Sequence, residues 1–367
     1  MIDPIAKLRS PRGSLVSVYI NRQPPATRAA LVDLLKGIRN SHSDFRLLKS
    51  VKADAARIVD MVGDIDRSNA PAAAIFASNE DRIFEFLPLT HPVTDTATIG
   101  PRPYLRPLRS QPRPVRAGVL VADSTRARTY LASGGTLTEI GEELIADRGK
   151  ENYGGFSGYE EHRNRQRAEE ASKEMWRQAG KRLLEAHQDQ PLEMMALVGR
   201  EEDFDSIAAE LHPYLRDLHQ ARLRVDISTV SPSDLARFID DETDAMRTKR
   251  AEGLIERLLA EAARGGEAVT GLSEVLEAVN AHAVDHLVVA GPFAKSGVIC
   301  DACGWLGRAE EQCPVCQADT FEISDVVAAA MDATVEAGGK VDVVTVASPL
   351  DAAGVGALLR FRLGGQV

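Results

Sequence analysis

The sequence predicts an α/β protein of three domains. Three observations predict it: β-branched strand patterns alternate with helically spaced apolar residues, two breaks in composition divide the chain, and 367 residues exceed one ordinary domain of roughly 100–200 residues. At 44% hydrophobic and 27% charged residues the chain can fill sizeable cores, which excludes wholesale disorder. No apolar run approaches the roughly 18 residues of a membrane span, and Met1-Ile2-Asp3-Pro4 lacks the pattern of a signal peptide.

The first domain is expected over residues 1–114. Leu15 to Ile20 is β-branched and aromatic, hence a strand. Leu31, Leu34, Leu35 and Ile38 share one helical face within Ala26 to Ile38, and Val51 to Val62 predicts a second helix. Ala72 to Ala77 and Arg82 to Leu87 read as paired strands. The domain ends in a break: Thr96 to Arg116 holds Pro101, Pro103, Pro107, Pro112 and Pro114, interleaved with Arg102, Arg106, Arg109, Arg113 and Arg116 and no acid. Prolines remove amide donors and disfavour helix, so an extended cationic linker is expected.

The second domain is expected over residues 115–230. Ala117 to Ala122 reads as a strand, with Ala127 to Leu131 and Leu137 to Ile140 as its partners. A Gly-rich loop, Asn152 to Gly158, leads into a long helix from about Tyr159 to Gln188, with Ser157 and Glu160 spaced as a capping box. Met194 to Gly199 is a strand. Ile207 to Leu218 is a helix that Pro213 must kink or restart, and Leu223 to Ile227 is another strand.

The third domain is expected over residues 231–367. Ser231 caps a helix with Pro232 at its first position, running to Gly265-Gly266. There follow a helix from Leu272 to His282, a strand from His286 to Ala290, a helix from Asp325 to Ala337, a strand from Val341 to Val346 and a last strand near Leu359 to Leu363.

All four cysteines lie in this last domain. Cys300-x-x-Cys303 and Cys313-x-x-Cys316 are separated by nine residues. Two such knuckles place four thiolates on a tetrahedron, the geometry of a structural Zn2+ site, and four sulfurs leave no position for water or substrate. A zinc ribbon over 298–318 is the reading, with two reversible disulfides as the alternative. So tight a cluster suits a reducing, cytoplasmic compartment. His282 and His286 lie four apart, but such a pair is more often packing than ligation, and a strand beginning near His286 breaks the shared face.

The loop residues Tyr153, Gly154, Gly155, Phe156 and Tyr159 combine freedom of backbone with stacking surfaces, and the helix behind them carries Arg163, Arg165 and Arg167. Aromatics beside arginines suit irregular or single-stranded RNA; the bland alternative is a mobile loop on a solvated helix. A Walker loop, a G-x-G-x-x-G fingerprint after a strand and a nucleophile elbow are all absent from the sequence.

This order of features resembles the archaeal and eukaryotic class-one release factors and Pelota, and more closely the bacterial branch of that superfamily, the Balon-type hibernation factors. The likeness rests on Leu15-Val16-Ser17-Val18-Tyr19, the Gly-Gly loop before an Arg-rich helix, the four-cysteine ribbon, Gly338-Gly339-Lys340-Val341, and the ending Ala353-Gly354-Val355-Gly356-Ala357-Leu358-Leu359-Arg360-Phe361. The resemblance implies a first domain at the decoding side of the ribosomal A site. It implies an RNase H-like central domain whose loop reaches toward the peptidyl-transferase centre. It implies a C-terminal domain of the kink-turn-binding ribosomal-protein (Pelota C-terminal) fold, carrying an inserted zinc ribbon. The implied partners are the ribosome, through A-site rRNA, and an EF-Tu-like GTPase at the C-terminal domain; no membrane is involved.

Two departures shape the expected function. Release factors carry Gly-Gly-Gln where this chain has Gly154-Gly155-Phe156, and a phenylalanine side chain cannot position water. The family's Asn-Ile-Lys-Ser tetrapeptide is missing from the corresponding stretch, Arg39 to Arg46. Gly364-Gly365-Gln366 occurs in the wrong structural context, beyond the last strand. A non-catalytic A-site tRNA mimic, acting in hibernation or rescue of idle or stalled ribosomes, is therefore expected, with peptidyl-tRNA hydrolase as the alternative. Arg39, Arg46 and the Arg102–Arg116 linker, with Arg102, Arg106 and Arg109, are expected on rRNA phosphates and the Gly154–Tyr159 loop, with Gly154, Gly155 and Phe156, at the large subunit; Arg163, Arg165 and Arg167 are expected to bind ribosomal RNA as well. The net charge of −10 conceals an asymmetry that fits this: residues 1–116 hold 18 Lys and Arg against 11 Asp and Glu, the remainder 26 against 43.

Overall fold

The computed structural model describes residues 2–24, 26–40, 45–68, 70–89, 91–111, 114–147 and 157–362, without the side chains of residues 2, 3, 39, 40, 45–48 and 157–161. The chain divides into two compact units, Met1–Gln111 with Ala251–Val367, and Pro112–Arg250. The sequence reading places its breaks at 114/115 and 230/231; the division falls at 111/112 and 250/251.

The first unit opens with helix α1 (Ile2–Ala6), strand β1 (Leu15–Asn21), helices α2 (Thr27–Asn40), α3 (Phe45–Asp60) and α4 (Val62–Arg67), strands β2 (Ala72–Ser78), β3 (Ile83–Leu89) and β4 (Thr96–Gly100), and the single-turn helix α5 (Arg106–Arg109). The strands form an antiparallel sheet in the order β3-β2-β1-β4. Alternate residues of β1 point to opposite faces. Val16, Val18 and Ile20 meet Leu31, Leu35 and Ile58 of the helices, while Leu15 and Tyr19 meet Phe76, Leu105 and Leu108 on the other face. The Thr96–Arg116 segment is thus not the extended linker expected. Five residues join the sheet through β1, and Pro107 sits at the start of α5, where a missing amide donor costs nothing.

The second unit begins with β5 (Arg116–Ala122), β6 (Arg126–Ser133), β7 (Thr136–Glu139) and β8 (Leu144–Ile145), then α6 (Ser157–Asp189), β9 (Met194–Gly199), α7 (Glu201–Glu210), α8 (Pro213–Arg216) and β10 (His219–Arg224). The sheet order is β10-β9-β5-β6-β7, with β8 beside β6; β10, β9 and β5 are parallel and the rest antiparallel. One face packs under Met175, Trp176, Ala179 and Leu183 of α6 and Phe204 and Ile207 of α7. The other packs under Leu235, Ile239 and Met246 of the next helix, α9 (Pro232–Ala263). Pro213 restarts a helix rather than kinking one: α7 ends at Glu210 and α8 begins at Pro213, its first turn capped by the His212 ring. At the entry to α9 the Ser231 hydroxyl and the Asp234 carboxylate each accept from the other's backbone amide.

The chain then returns to the first unit with β11 (Ala268–Thr270), α10 (Leu272–Asn280), β12 (Val284–Ala290), the short strands β13 (Gly297–Ile299), β14 (Leu306–Gly307) and β15 (Phe321–Ile323), α11 (Val326–Glu336), β16 (Lys340–Val344), a 3-10 turn (Pro349–Ala352) and β17 (Val355–Leu359). The main sheet runs β11-β17-β12-β16 between α10 and α11 on one face and the second half of α9 on the other. The last strand begins at Val355, four residues before the expected one. Gly354 just before it and Gly356 within it conceal it in the sequence and are required by its packing. Gly354 has φ +75°, and a Cβ there would lie 2.1 Å from the Phe293 ring. A Cβ on Gly356 would lie 2.9 Å from Leu258 of α9. No helix among the described residues is long and apolar enough to cross a membrane.

Candidate metal centre and arginine clusters

Strands β14, β13 and β15 form a small antiparallel sheet inserted between β12 and α11. Its knuckles are two copies of one turn. The Gly304 amide donates to the Cys300 carbonyl at 2.8 Å, and the Gln317 amide donates to the Cys313 carbonyl at 2.9 Å. Both donors have positive φ, +81° at Gly304 and +61° at Gln317, which turns the chain sharply just after the second cysteine of each knuckle. Asn280, the last residue of α10, pins the insertion by pairing with both backbone groups of Leu306.

The sulfurs of Cys300, Cys303, Cys313 and Cys316 lie within 4.8 Å of one another, with Cys300–Cys316 at 3.4 Å and Cys303–Cys313 at 3.5 Å. Thiolates at about 2.3 Å from a tetrahedral zinc ion stand roughly 3.8 Å apart, so the donor set fits that ion. Burial, together with the neighbouring thiols, pushes Cys303 up to about 12. Burial acts the same way on Cys313, but the amides of Cys316 and Val315 and the thiols of Cys303 and Cys316 bring it down to about 7. All four cysteines are free of disulfides. Bound there, a metal ion would cross-link the two knuckles and leave no position for a substrate.

The histidines behave as the broken face predicts. Helix α10 stops at Asn280, His282 takes φ +53°, and His286 lies on β12, where its ring pairs with Asp342 of β16 at 2.6 Å.

The expected RNA-facing arginines separate into three groups. Arg163, Arg165 and Arg167 lie on the leading turns of α6, where residues 162–167 are all exposed. Among the described residues none of the three is in an ion pair, whereas Lys173, Arg177 and Arg182 further along are engaged by Glu169, Glu210 and the Glu142 carbonyl. The helix is fixed at its middle: the Trp176 indole donates to the Asp123 carbonyl and the Ser172 hydroxyl to that of Ser124. Gly154, Gly155 and Phe156 lie outside the described residues, as do Gly364-Gly365-Gln366 and the capping-box side chains of Ser157 and Glu160. Arg39 and Arg46 fall in α2 and α3, with side chains outside the described set.

Arg102, Arg106 and Arg109 are placed differently from the expectation of phosphate contacts. Arg106 is 7% exposed; it pairs with Asp325 at 2.8 Å and donates to the carbonyls of Gly291 and Phe293. Arg109 pairs with Asp332, and Arg102 faces Asp301 at 3.5 Å and Glu336 at 4.0 Å. The reason is electrostatic: the acids of α11 and the ribbon neutralise these guanidiniums within the protein. Sequence reasoning missed Asp325, Asp332, Asp301 and Tyr104. Only Asp325 carried a signal, as an N-cap residue before the apolar run Val326 to Met331.

No family model matches the chain, and no curated protein matches it. Among solved structures, the archaeal translation termination factor aRF1 is 17% identical, over 98% of this chain and 96% of its own, with a TM-score of 0.24. A structure of ribosome-bound archaeal Pelota with ABCE1 is 19% identical, over 80% and 78%, with a TM-score of 0.44. Saccharomyces cerevisiae Dom34, described as a translation termination-like factor interacting with Hbs1, is 12% identical, over 80% and 81%, with a TM-score of 0.41.

Proposed function

We propose that the protein is a ribosome-binding translation factor that enters the A site as a non-catalytic tRNA mimic. The observation that carries this reading is the exposed arginine run at the head of α6. Arg163, Arg165 and Arg167 stand clear of the packed half of that 33-residue helix, the first of them seven positions after Phe156 in the chain. Exposed guanidiniums on a helix suit phosphate, and Phe156, shortly before them in the sequence, offers an aromatic side chain for stacking. The Ala353–Phe361 sequence and the four-cysteine insertion between β12 and α11 support the same reading. On this reading the C-terminal domain receives a GTPase of the elongation-factor type, and the protein works in the cytoplasm.

The missing glutamine directs the choice between mimic and hydrolase. With Phe156 at the third loop position, no side chain of the tripeptide can orient a water molecule for attack on an ester. Two measurements test the proposal. Purified protein should co-sediment with vacant ribosomes on sucrose gradients, and recovery only in ribosome-free fractions would sink it. Added to stalled ribosome–nascent-chain complexes, it should release no peptide. Release that Gly155→Ala abolishes would establish the hydrolase instead.

A further inference from the structure

The ribbon has a second set of neighbours besides its own domain. Residues preceding it, within it and directly following it all face the N-terminal half of the same unit. A Cβ on Gly13 would lie 3.5 Å from the Phe321 ring of β15, and one on Gly100 would lie 4.0 Å from Ile323. Arg102 reaches the knuckle itself. Its Nε faces Asp301 Oδ1 at 3.5 Å, and its guanidinium lies 3.8 Å from where a Cβ on Gly304 would stand. These two polar atoms are buried and have no other partner, so each depends on the other's position. Arg106 and Tyr104 both reach Asp325, which follows β15 by two residues, and Arg106 also takes the carbonyls of Gly291 and Phe293 before β13.

The ribbon alone is a weak platform for this. Strands β13 and β15 have three residues each and β14 has two, and the β13–β14 ladder is two residue pairs long. Ile299 and Leu306 anchor one side of the insertion in the core of the C-terminal half. The knuckles beyond them, including Asp301 between Cys300 and Cys303, are held by single-turn backbone bonds such as those from the Gly304 and Gln317 amides, and the four sulfurs are what can join one knuckle to the other. So small a module without a core takes its order from its cross-link.

We propose that the four-cysteine site is a metal-dependent joint: metal held by Cys300, Cys303, Cys313 and Cys316 fixes Asp301 and β15, and these hold the β4–α5 segment docked on the C-terminal half. Loss of the metal undocks residues 98–109 while both flanking cores stay folded. The site thereby controls how the N-terminal half is attached, beyond shaping its own loop.

Hydrogen exchange on the full chain tests this, comparing zinc-loaded protein with protein stripped by a chelator. Stripping should speed exchange in peptides covering 98–109 by at least about tenfold, as in the ribbon, with β1, β2 and β12 unchanged. Unchanged protection at 98–109 would overturn the joint. So would loss of protection in β1, β2 and β12 together, because the metal would then hold the whole fold. Arg102→Ala supplies the independent check. It should keep one zinc per chain by atomic absorption and still exchange faster at 98–104; unchanged exchange there would remove Arg102 from the joint and overturn it.

Discussion

Asp325 uses its two carboxylate oxygens for two different purposes, and Arg106 depends on one of them. Its Oδ1 caps α11 by accepting from the amides of Val327 and Ala328, while its Oδ2 accepts from the Arg106 guanidinium at 2.8 Å and the Tyr104 hydroxyl at 3.0 Å. Both charged residues are buried, at 7% and 6% exposure. Burial, followed by the Asp325 carboxylate, raises the Tyr104 hydroxyl well above its ordinary value, so it stays a proton donor.

Removing one member of this pair leaves the other charged and unpaired in a buried place. Such a break costs about 3–5 kcal/mol, and Arg106→Met should show it as a lower urea midpoint. Asp325→Ala should cost at least as much, because it also removes the α11 cap, itself about 1 kcal/mol. The double variant Arg106→Met/Asp325→Leu should recover most of the loss, since two apolar groups leave no orphaned charge. A double variant weaker than the sum of the singles would refute this account of the pair.

Asp332 gives the first unit a pH dependence of unusual sign. Burial raises its carboxyl to about 6, against the opposing pull of Arg109. The unfolded value is about 3.9, so between roughly pH 4 and 6 the folded state binds more protons than the unfolded chain. Stability from this group is therefore fully present near pH 4 and falls as pH rises through 6, by at most about 1.4 kcal/mol per pH unit. Asp332→Asn should flatten that window. The difference in urea midpoint between wild type and variant, read at pH 4, 5, 6 and 7, isolates the group from the other carboxylates.

Metal content is open to direct assay. The chain should bind one zinc ion, and cobalt substituted for it should show the thiolate charge-transfer absorption of a four-sulfur site. Cys316→Ser should weaken the band and the affinity. Cys316 and Cys303 are exposed while Cys300 and Cys313 are buried, so chelators should reach the ion from the exposed pair.

The glycine at 354 has a packing explanation that a single methyl group tests. Gly354→Ala forces a side chain into positive φ and against the Phe293 ring, whose carbonyl also receives Arg106. Left-handed strain of about 1–2 kcal/mol and overpacking of about 1–3 kcal/mol should add to a drop in melting temperature measured by calorimetry. Gly338→Ala, also at positive φ but with open space around it, should cost less.

What the sequence reveals and hides follows from the range of each interaction. The β1 pattern, the Ser231-Pro232 helix start and the knuckle spacing are local, and each is legible. Strand β11 has only three residues, held by pairing with β17 across the domain, so no local pattern announces it. Strand β10 starts at His219, four residues before its apolar end suggests, because its parallel register with β9 fixes it. The arginine-rich segment shows the limit best. Its cationic character is plain, yet the acid that neutralises Arg106 lies 219 residues away. A positive stretch in sequence therefore does not distinguish a surface for phosphate from one half of an internal clamp.

That distinction makes the final prediction. Charge reversal of Arg163, Arg165 and Arg167 to Glu should weaken ribosome co-sedimentation by at least about tenfold and reduce its salt dependence, because these groups are exposed to solvent and none is in an ion pair among the described residues. The melting temperature should stay within experimental error, since no packing or ion pair is lost. Arg106→Glu should do the reverse in the first instance, lowering the melting temperature by placing a second carboxylate against Asp325. If both sets weaken binding equally at temperatures where both proteins are folded, the arginines of the β4–α5 segment contact RNA after all. The internal clamp would then have to open on the ribosome.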